Sequence, residues 1–152
     1  MDEQWMRVAL TEAEKAAESG DVPVGAVVVL DGRIIGRGHN QVEALNDPTA
    51  HAEILAIGAA SGALGAPRLT GAVIYVTMEP CPMCAGAIVL ARLDRLVYGC
   101  RDSKSGYCGS LGNLVDDPAL NHRVPVRSGV SGEECASLVS RFFEGLRNRS
   151  ET

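Results

Sequence analysis

No apolar run in this 152-residue chain approaches the roughly 20 residues that a bilayer span needs, which argues against a helical membrane protein. The first residues, Met1-Asp2-Glu3-Gln4-Trp5, lack both a basic start and an apolar segment, so no secretory signal is expected. Without such a signal, the acceptor-like tripeptide Asn148-Arg149-Ser150 carries no expectation of glycosylation. Cysteine is sparse and odd in number: five residues, two of them in a C-x-x-C, fit a reducing, cytoplasmic setting better than a disulfide framework. Excess basic charge is missing as well. The 14 Lys and Arg face 19 Asp and Glu, and a net charge of −5 weighs against a strongly basic nucleic-acid binder. Internal repeats and linker-like stretches are absent, so residues 1–152 are expected to form one domain.

What is present is an ordinary globular composition, 46% hydrophobic and 22% charged. The charge is uneven. Residues 1–90 hold 5 Lys or Arg against 11 Asp or Glu, whereas residues 91–152 hold 9 against 8. Arg92, Arg95, Arg101, Lys104, Arg123 and Arg127 fall close together in sequence and leave room for a local basic surface.

Periodicity predicts a helix over residues 2–19, with Trp5, Ala9, Ala13 and Ala16 on one face and Gly20 as its stop. Two apolar runs, Gly25 to Leu30 and Arg33 to Gly38, flank Asp31-Gly32, a strong hairpin signal. Gly36-Arg37-Gly38 lacks the third glycine of a dinucleotide fingerprint and reads as strand-end backbone. Asp47 is expected to cap a helix starting at Pro48, with Ile54, Leu55 and Ile57 on its buried face and a loop over residues 61–70. Further elements are a strand from Val73 to Thr77, a buried helix from Pro80 to Ala91 and a strand around Arg95 to Tyr98. A Gly/Ser-rich loop from Arg101 to Gly112 follows, then a short strand from Val124 to Arg127. Ser131 to Glu134 reads as a capping box for an amphipathic helix burying Cys135, Leu138, Val139, Phe142, Phe143 and Leu146. Helices alternating with apolar strands after an opening hairpin predict an α/β fold, a three-layer α/β/α sandwich on a mixed sheet.

The chemistry concentrates in two segments. His51-Ala52-Glu53 and Glu79-Pro80-Cys81-Pro82-Met83-Cys84 together supply one imidazole and two thiolates, three ligands for a tetrahedral Zn2+ whose fourth position stays open for water. Cys81 and Cys84 lie three apart at a helix start, where unsatisfied N–H groups favour thiolate over thiol. Glu53, two residues past the histidine, is placed to move protons without binding metal. H-x-E followed by P-C-x-x-C is the pattern of the zinc nucleobase deaminases. Two alternatives stand beside this reading. A C-x-x-C alone also serves redox pairs, which need no His-x-Glu; a structural zinc wants a fourth ligand, for which Cys100, Cys108 or Cys135 would have to serve.

The chain resembles the bacterial tRNA-specific adenosine deaminases almost from end to end. The resemblance runs through Val22 to Ala26, Asp47 to Glu53, Glu79 to Ala87, Arg101 to Gly106, Gly109 to Leu111 and Asn121 to Val124. The Arg-Asp-x-Lys-x-Gly and Asn-His-Arg segments are the narrower signal, because the zinc motifs are shared with deaminases of cytosine, guanine and free nucleosides. The resemblance implies hydrolytic conversion of wobble adenosine to inosine in a tRNA anticodon stem-loop, in the cytoplasm, by a homodimer with its active site near the subunit contact. By it, His51, Cys81 and Cys84 bind Zn2+ and Glu53 is the proton shuttle. Asn40 hydrogen-bonds the target base, Asp102 lies near its ribose, and Lys104, Asn121, His122 and Arg123 contact RNA. Read on their own, Asn40 also fits a strand end satisfying its own loop, Lys104 and Arg123 fit solvated charges, and His122 fits a structural histidine. The chain departs from the family at Tyr107-Cys108, where Ala-Ala is common, and at Cys100, where a small residue is common. A small-molecule nucleobase deaminase, and a noncatalytic zinc or RNA-binding protein on the same scaffold, are the competing functions.

Overall fold

A computed structural model describes residues 1–150. Its elements run α1 (Asp2–Glu18), β1 (Gly25–Leu30), β2 (Arg33–His39), α2 (Val42–Leu45), α3 (Ala52–Leu64), β3 (Val73–Met78), α4 (Pro82–Leu90), β4 (Arg95–Cys100), β5 (Val126–Arg127) and α5 (Gly132–Ser150). Among the described residues the strands form one sheet of order β2-β1-β3-β4-β5. β1 runs antiparallel to β2 and β3, while β3, β4 and β5 are parallel, so the sheet is mixed. Asp31 and Gly32 close the hairpin with φ of 49° and 74°, both positive as a type I′ turn demands.

Alternation along the strands sends side chains to two cores. Val27, Val29, Tyr75 and Val97 meet Met6 and Ala9 of α1 and Cys135 of α5. Val28, Ile74, Val76, Leu96 and Tyr98 meet Ala52, Ala56 and Ala60 of α3 and Ala85 and Ile88 of α4. Helices therefore cover both faces, and the α/β/α sandwich on a mixed sheet is the observed fold.

Several local expectations are corrected. α3 begins at Ala52, not Pro48. Asp47 instead accepts from the Thr49 amide and hydroxyl at 2.8 and 2.7 Å, so its side chain is spent on a turn. Before that turn, α2 interrupts what read as loop. Its N-terminal amides are held by the buried Asp21, whose carboxylate accepts from Glu43 N at 2.7 Å and Ala44 N at 3.2 Å. α3 also runs on to Leu64, through residues expected to be loop.

The buried face of α3 is Ala52, Ala56 and Ala60, and the larger Ile54, Leu55 and Ile57 are only half-buried. The reason lies on β2. A Cβ at Gly36 would fall 2.3 Å from Ala56 O, and one at Gly38 would fall 2.4 Å from Ala52 O. Those glycines let helix backbone press on strand backbone, and only alanine fits between. They are contact glycines, not strand-end punctuation. α4 is buried on one side only, with Leu90 76% exposed.

In α5 the predicted apolar stripe is fully buried only at Cys135; Phe143 and Leu146 are each 41% exposed. Phe143 and Leu146 line hollows in the surface, so this end of the stripe faces open space. Ser131 precedes α5 at φ 52°, a left-handed conformation outside the extended region of an ordinary N-cap, which corrects the capping-box reading.

Candidate active site

Two helix starts build the site. His51 is the N-cap of α3, with extended backbone (φ −76°, ψ 152°), and its carbonyl accepts from Leu55 N at 3.1 Å. Cys81 is the N-cap of α4 (φ −74°, ψ 174°), followed by Pro82 at the position where its missing N–H costs nothing. Cys84, one turn on, is fully buried. Cys81 comes three residues past β3 and His51 follows the Asp47–Ala50 turn, and the two N-termini converge.

His51 Nδ1 lies 3.5 Å from Cys81 Sγ and 3.5 Å from Cys84 Sγ. A tetrahedral ion bonded at about 2.3 Å to sulfur and about 2.0 Å to nitrogen holds those atoms roughly 3.5 Å apart, so the donor set fits such an ion. The ligand atoms of these three residues all lie within 4.8 Å of one another, and no other such group occurs among the described residues. Cys100, Cys108 and Cys135 do not join it. A four-ligand structural site is therefore not assembled.

The electrostatics follow from burial. The hydrogen bond with Cys84, assisted by His51, pulls the Cys81 thiol down to about 4, while the same contact and burial push Cys84 up. Cys81 in turn raises His51. Glu53, in the first turn of α3, is 4% exposed, and desolvation lifts its carboxyl to about 7. It adjoins the ligand cluster without belonging to it.

A cleft of about 360 Å³ opens over these groups. His51, Glu53 and Cys81 form its floor with Ala52 and Glu79 beside them, and Val22, Val24, Asn40, Met78, Asp102, Lys104, Ser105 and Phe143 line the rest. Asn40 donates to Val22 O at 3.2 Å and accepts from Val42 N at 3.2 Å, which fixes its amide while leaving one donor and one lone pair uncommitted by those bonds. Asp102 Oδ1 accepts from Lys104 N and Ser105 N at 3.0 and 3.1 Å.

The Asn-His-Arg segment is not brought into this cleft. Asn121 is exposed, and His122 Nε2 bonds Leu93 O at 2.8 Å, the structural role open to it from sequence. Arg123 pairs with Asp116 at 2.9 Å. The six clustered basic residues do not form one free basic surface either. Arg95 and Arg127 both grip Asp2, at 2.7 and 2.6 Å, and Arg92 donates to Val89 O.

Two residues escaped the sequence reading. Phe143 reaches the cleft, but nothing in the stripe's spacing separates it from its neighbour Phe142. Glu79 was passed over for the cysteines beside it. Its signal was a carboxylate just past an apolar strand, a group that once buried must find partners. Four contacts surround it: Asp102 N, Cys108 N, Ser110 N and Ser110 Oγ. Burial opposes its ionisation, but these donors hold its carboxyl below the usual range.

Residues 1–147 match the family model of the MafB19-like deaminases. The tRNA-specific adenosine deaminase of Bacillus subtilis (strain 168) is 50% identical over 150 residues, covering 99% of this chain and 93% of that protein. A solved structure from work on A-to-I editing by tRNA:A34 deaminases at the wobble position superposes with a TM-score of 0.86 and 49% identity, over 89% of this chain and 98% of the other. Guanine deaminase from Bacillus subtilis is more distant, at 35% identity and a TM-score of 0.64, with 96% and 93% of the two chains covered.

Proposed function

The chain belongs to the MafB19-like deaminase family, among the tRNA-specific adenosine deaminases, and we propose that it hydrolyses wobble adenosine to inosine in a tRNA anticodon stem-loop. The observation that carries this reading is the buried Glu53 beside the His51, Cys81 and Cys84 cluster, at the floor of a cleft walled by Asn40 and Asp102. The reaction exchanges the 6-amino group of adenine for the oxygen of water and releases ammonia.

His51, Cys81 and Cys84 would hold one Zn2+ per chain. When bound, such an ion supplies hydroxide at neutral pH by lowering the pKa of water from about 15.7 toward 7. Everything else is done by the chain. Glu53, lifted to about 7, can move protons near neutral pH: it passes one proton of the attacking water to the ring nitrogen, then the proton left on the added oxygen to the departing ammonia. Asn40 offers its remaining donor and acceptor to the edge of the base. Val22, Val24 and Met78 give the base an apolar seat, and Phe143 closes the outer wall with an aromatic face for a neighbouring nucleotide. Asp102 stands for the ribose and Lys104 for a phosphate; Asn121, His122 and Arg123 are kept as outlying RNA contacts. A base stacked in a duplex cannot reach the buried Glu53, so the substrate nucleotide must be unstacked, as in a loop.

We further infer a homodimer in the cytoplasm. The dimer's support is the large apolar side chains exposed on α4 and on the loop after β4: Met83, Leu90 and Leu111. No helix among the described residues is long and apolar enough to cross a membrane.

The test is to incubate the purified protein with bulk tRNA and, separately, with free bases, and to analyse the nucleosides. Inosine at the wobble position with poor turnover of free guanine and adenosine is expected. Guanine or cytosine turnover without inosine in tRNA would favour the small-molecule reading, and no turnover at all the noncatalytic one.

A further inference from the structure

Glu79 directly follows β3, two residues before Cys81, and is 3% exposed. Its Oε1 accepts from Asp102 N at 3.1 Å and from the Ser110 hydroxyl, while Oε2 accepts from Cys108 N at 3.0 Å and Ser110 N at 2.9 Å. An ionised carboxylate has about four lone-pair sites, and here the 101–112 loop fills them all. The next residue adds a tie, Tyr107 N donating to Pro80 O at 2.8 Å. Fit is close: a Cβ at Gly106 would lie 2.4 Å from Glu79 Cδ. The support reaches the cleft mouth in one further step, because Asp102, held through its amide, holds Lys104 N and Ser105 N with its own carboxylate.

We infer that Glu79 is a positioning residue for substrate: it fixes the Asp102–Ser105 wall of the cleft in register with the metal ligands on the same hexapeptide. The inference rests on the reading above that this wall seats RNA. Glutamine separates this role from simple bulk. With its amide nitrogen in place of Oε1, the variant keeps the Cys108 and Ser110 amide bonds, and the Ser110 hydroxyl turns to accept. Only Asp102 N is then left facing a donor. The opposite orientation strands two amides and is worse.

The experiment uses the zinc-loaded wild type and Glu79→Gln with a stem-loop carrying a wobble adenosine. KM is expected to rise roughly tenfold, the scale of one lost charge-assisted hydrogen bond, with kcat within about twofold and zinc content unchanged. Amide exchange gives a readout free of activity: Asp102 N–H should lose protection while Cys108 and Ser110 keep theirs. Unchanged KM and unchanged Asp102 protection would overturn the inference, as would loss of kcat or zinc at constant KM. If Glu79→Gln does not fold, Ser110→Ala removes one donor to the same carboxylate and is held to the same KM-without-kcat split. Wild-type protein that makes no inosine defeats the proposed function instead, and the exchange pattern still decides the role of Glu79.

Discussion

Cys81 Sγ and His51 Nδ1 stand 3.5 Å apart although 30 positions separate them in the chain. The contact joins the caps of two helices, so it depends on α3 and α4 both being docked on the sheet face that carries Val28, Ile74 and Val76. With Cys84 at the same distance from the imidazole, the three donor atoms stand at the spacing a tetrahedral ion requires.

Removing one ligand should therefore be decisive. Cys81→Ala is expected to lose stoichiometric zinc and all measurable deamination, since two protein ligands hold the ion poorly. Metal analysis of the dialysed variant checks this; full zinc with full turnover would refute the ligand assignment.

Glu53→Ala is expected to leave zinc and RNA affinity intact while turnover falls beyond the roughly 10²–10⁴-fold usual for a general acid–base group, because one carboxylate serves several proton transfers. Single-turnover rates beside binding measurements separate the two effects. Near-normal turnover would remove Glu53 from the mechanism.

Replacing Lys104 or Arg123 by alanine should weaken RNA binding, to different degrees. Each alanine variant is expected to flatten the salt dependence of binding, by about one unit of slope for a full phosphate contact. Lys104, at the cleft mouth, should show the full effect, and Arg123, already paired with Asp116, a smaller one. Zinc content should not change in either. A titration of affinity against salt checks the ranking.

Asp2 gives a stability prediction away from the site. It is buried between Arg95 and Arg127 and accepts from Tyr75 at 3.0 Å, tying α1 to β3, β4 and β5. Arg95 foremost, with Arg127 and Tyr75, holds its carboxyl far below the usual range against the cost of burial. A folded pKa below the unfolded value near 3.9 means that the native state holds its proton less tightly. The stabilisation is therefore complete above about pH 4 and is lost as pH falls below it. Asp2→Ala should cost about 2 kcal/mol near neutrality and flatten the acid limb of the stability curve, measured by urea unfolding from pH 2 to 7.

The strands, the hairpin turn at Asp31-Gly32 and the C-x-x-C at a helix start were legible in sequence because each is a local matter. A type I′ turn needs two residues that tolerate positive φ, and a C-x-x-C at a helix start turns both sulfurs one way wherever the helix later packs. The long helices were legible too, but their limits and faces were not. Asp47 could cap a helix or a turn with the same oxygen, and its neighbours chose the turn.

Tertiary structure alone decided what depends on partners distant in the chain. Ala52, Ala56 and Ala60 became the buried face of α3 because Gly36 and Gly38 lie beneath them, and no period within α3 records that. Arg95 and Arg127 counted toward a local basic surface until Asp2, from the other end of the chain, met them both. Glu79 read as the preface to a cysteine motif, and the fold surrounded it with a loop beginning more than 20 residues later. Periodicity encodes which side of an element is apolar; it does not encode which charge or backbone group will stand opposite, and burial makes that opposite group decisive.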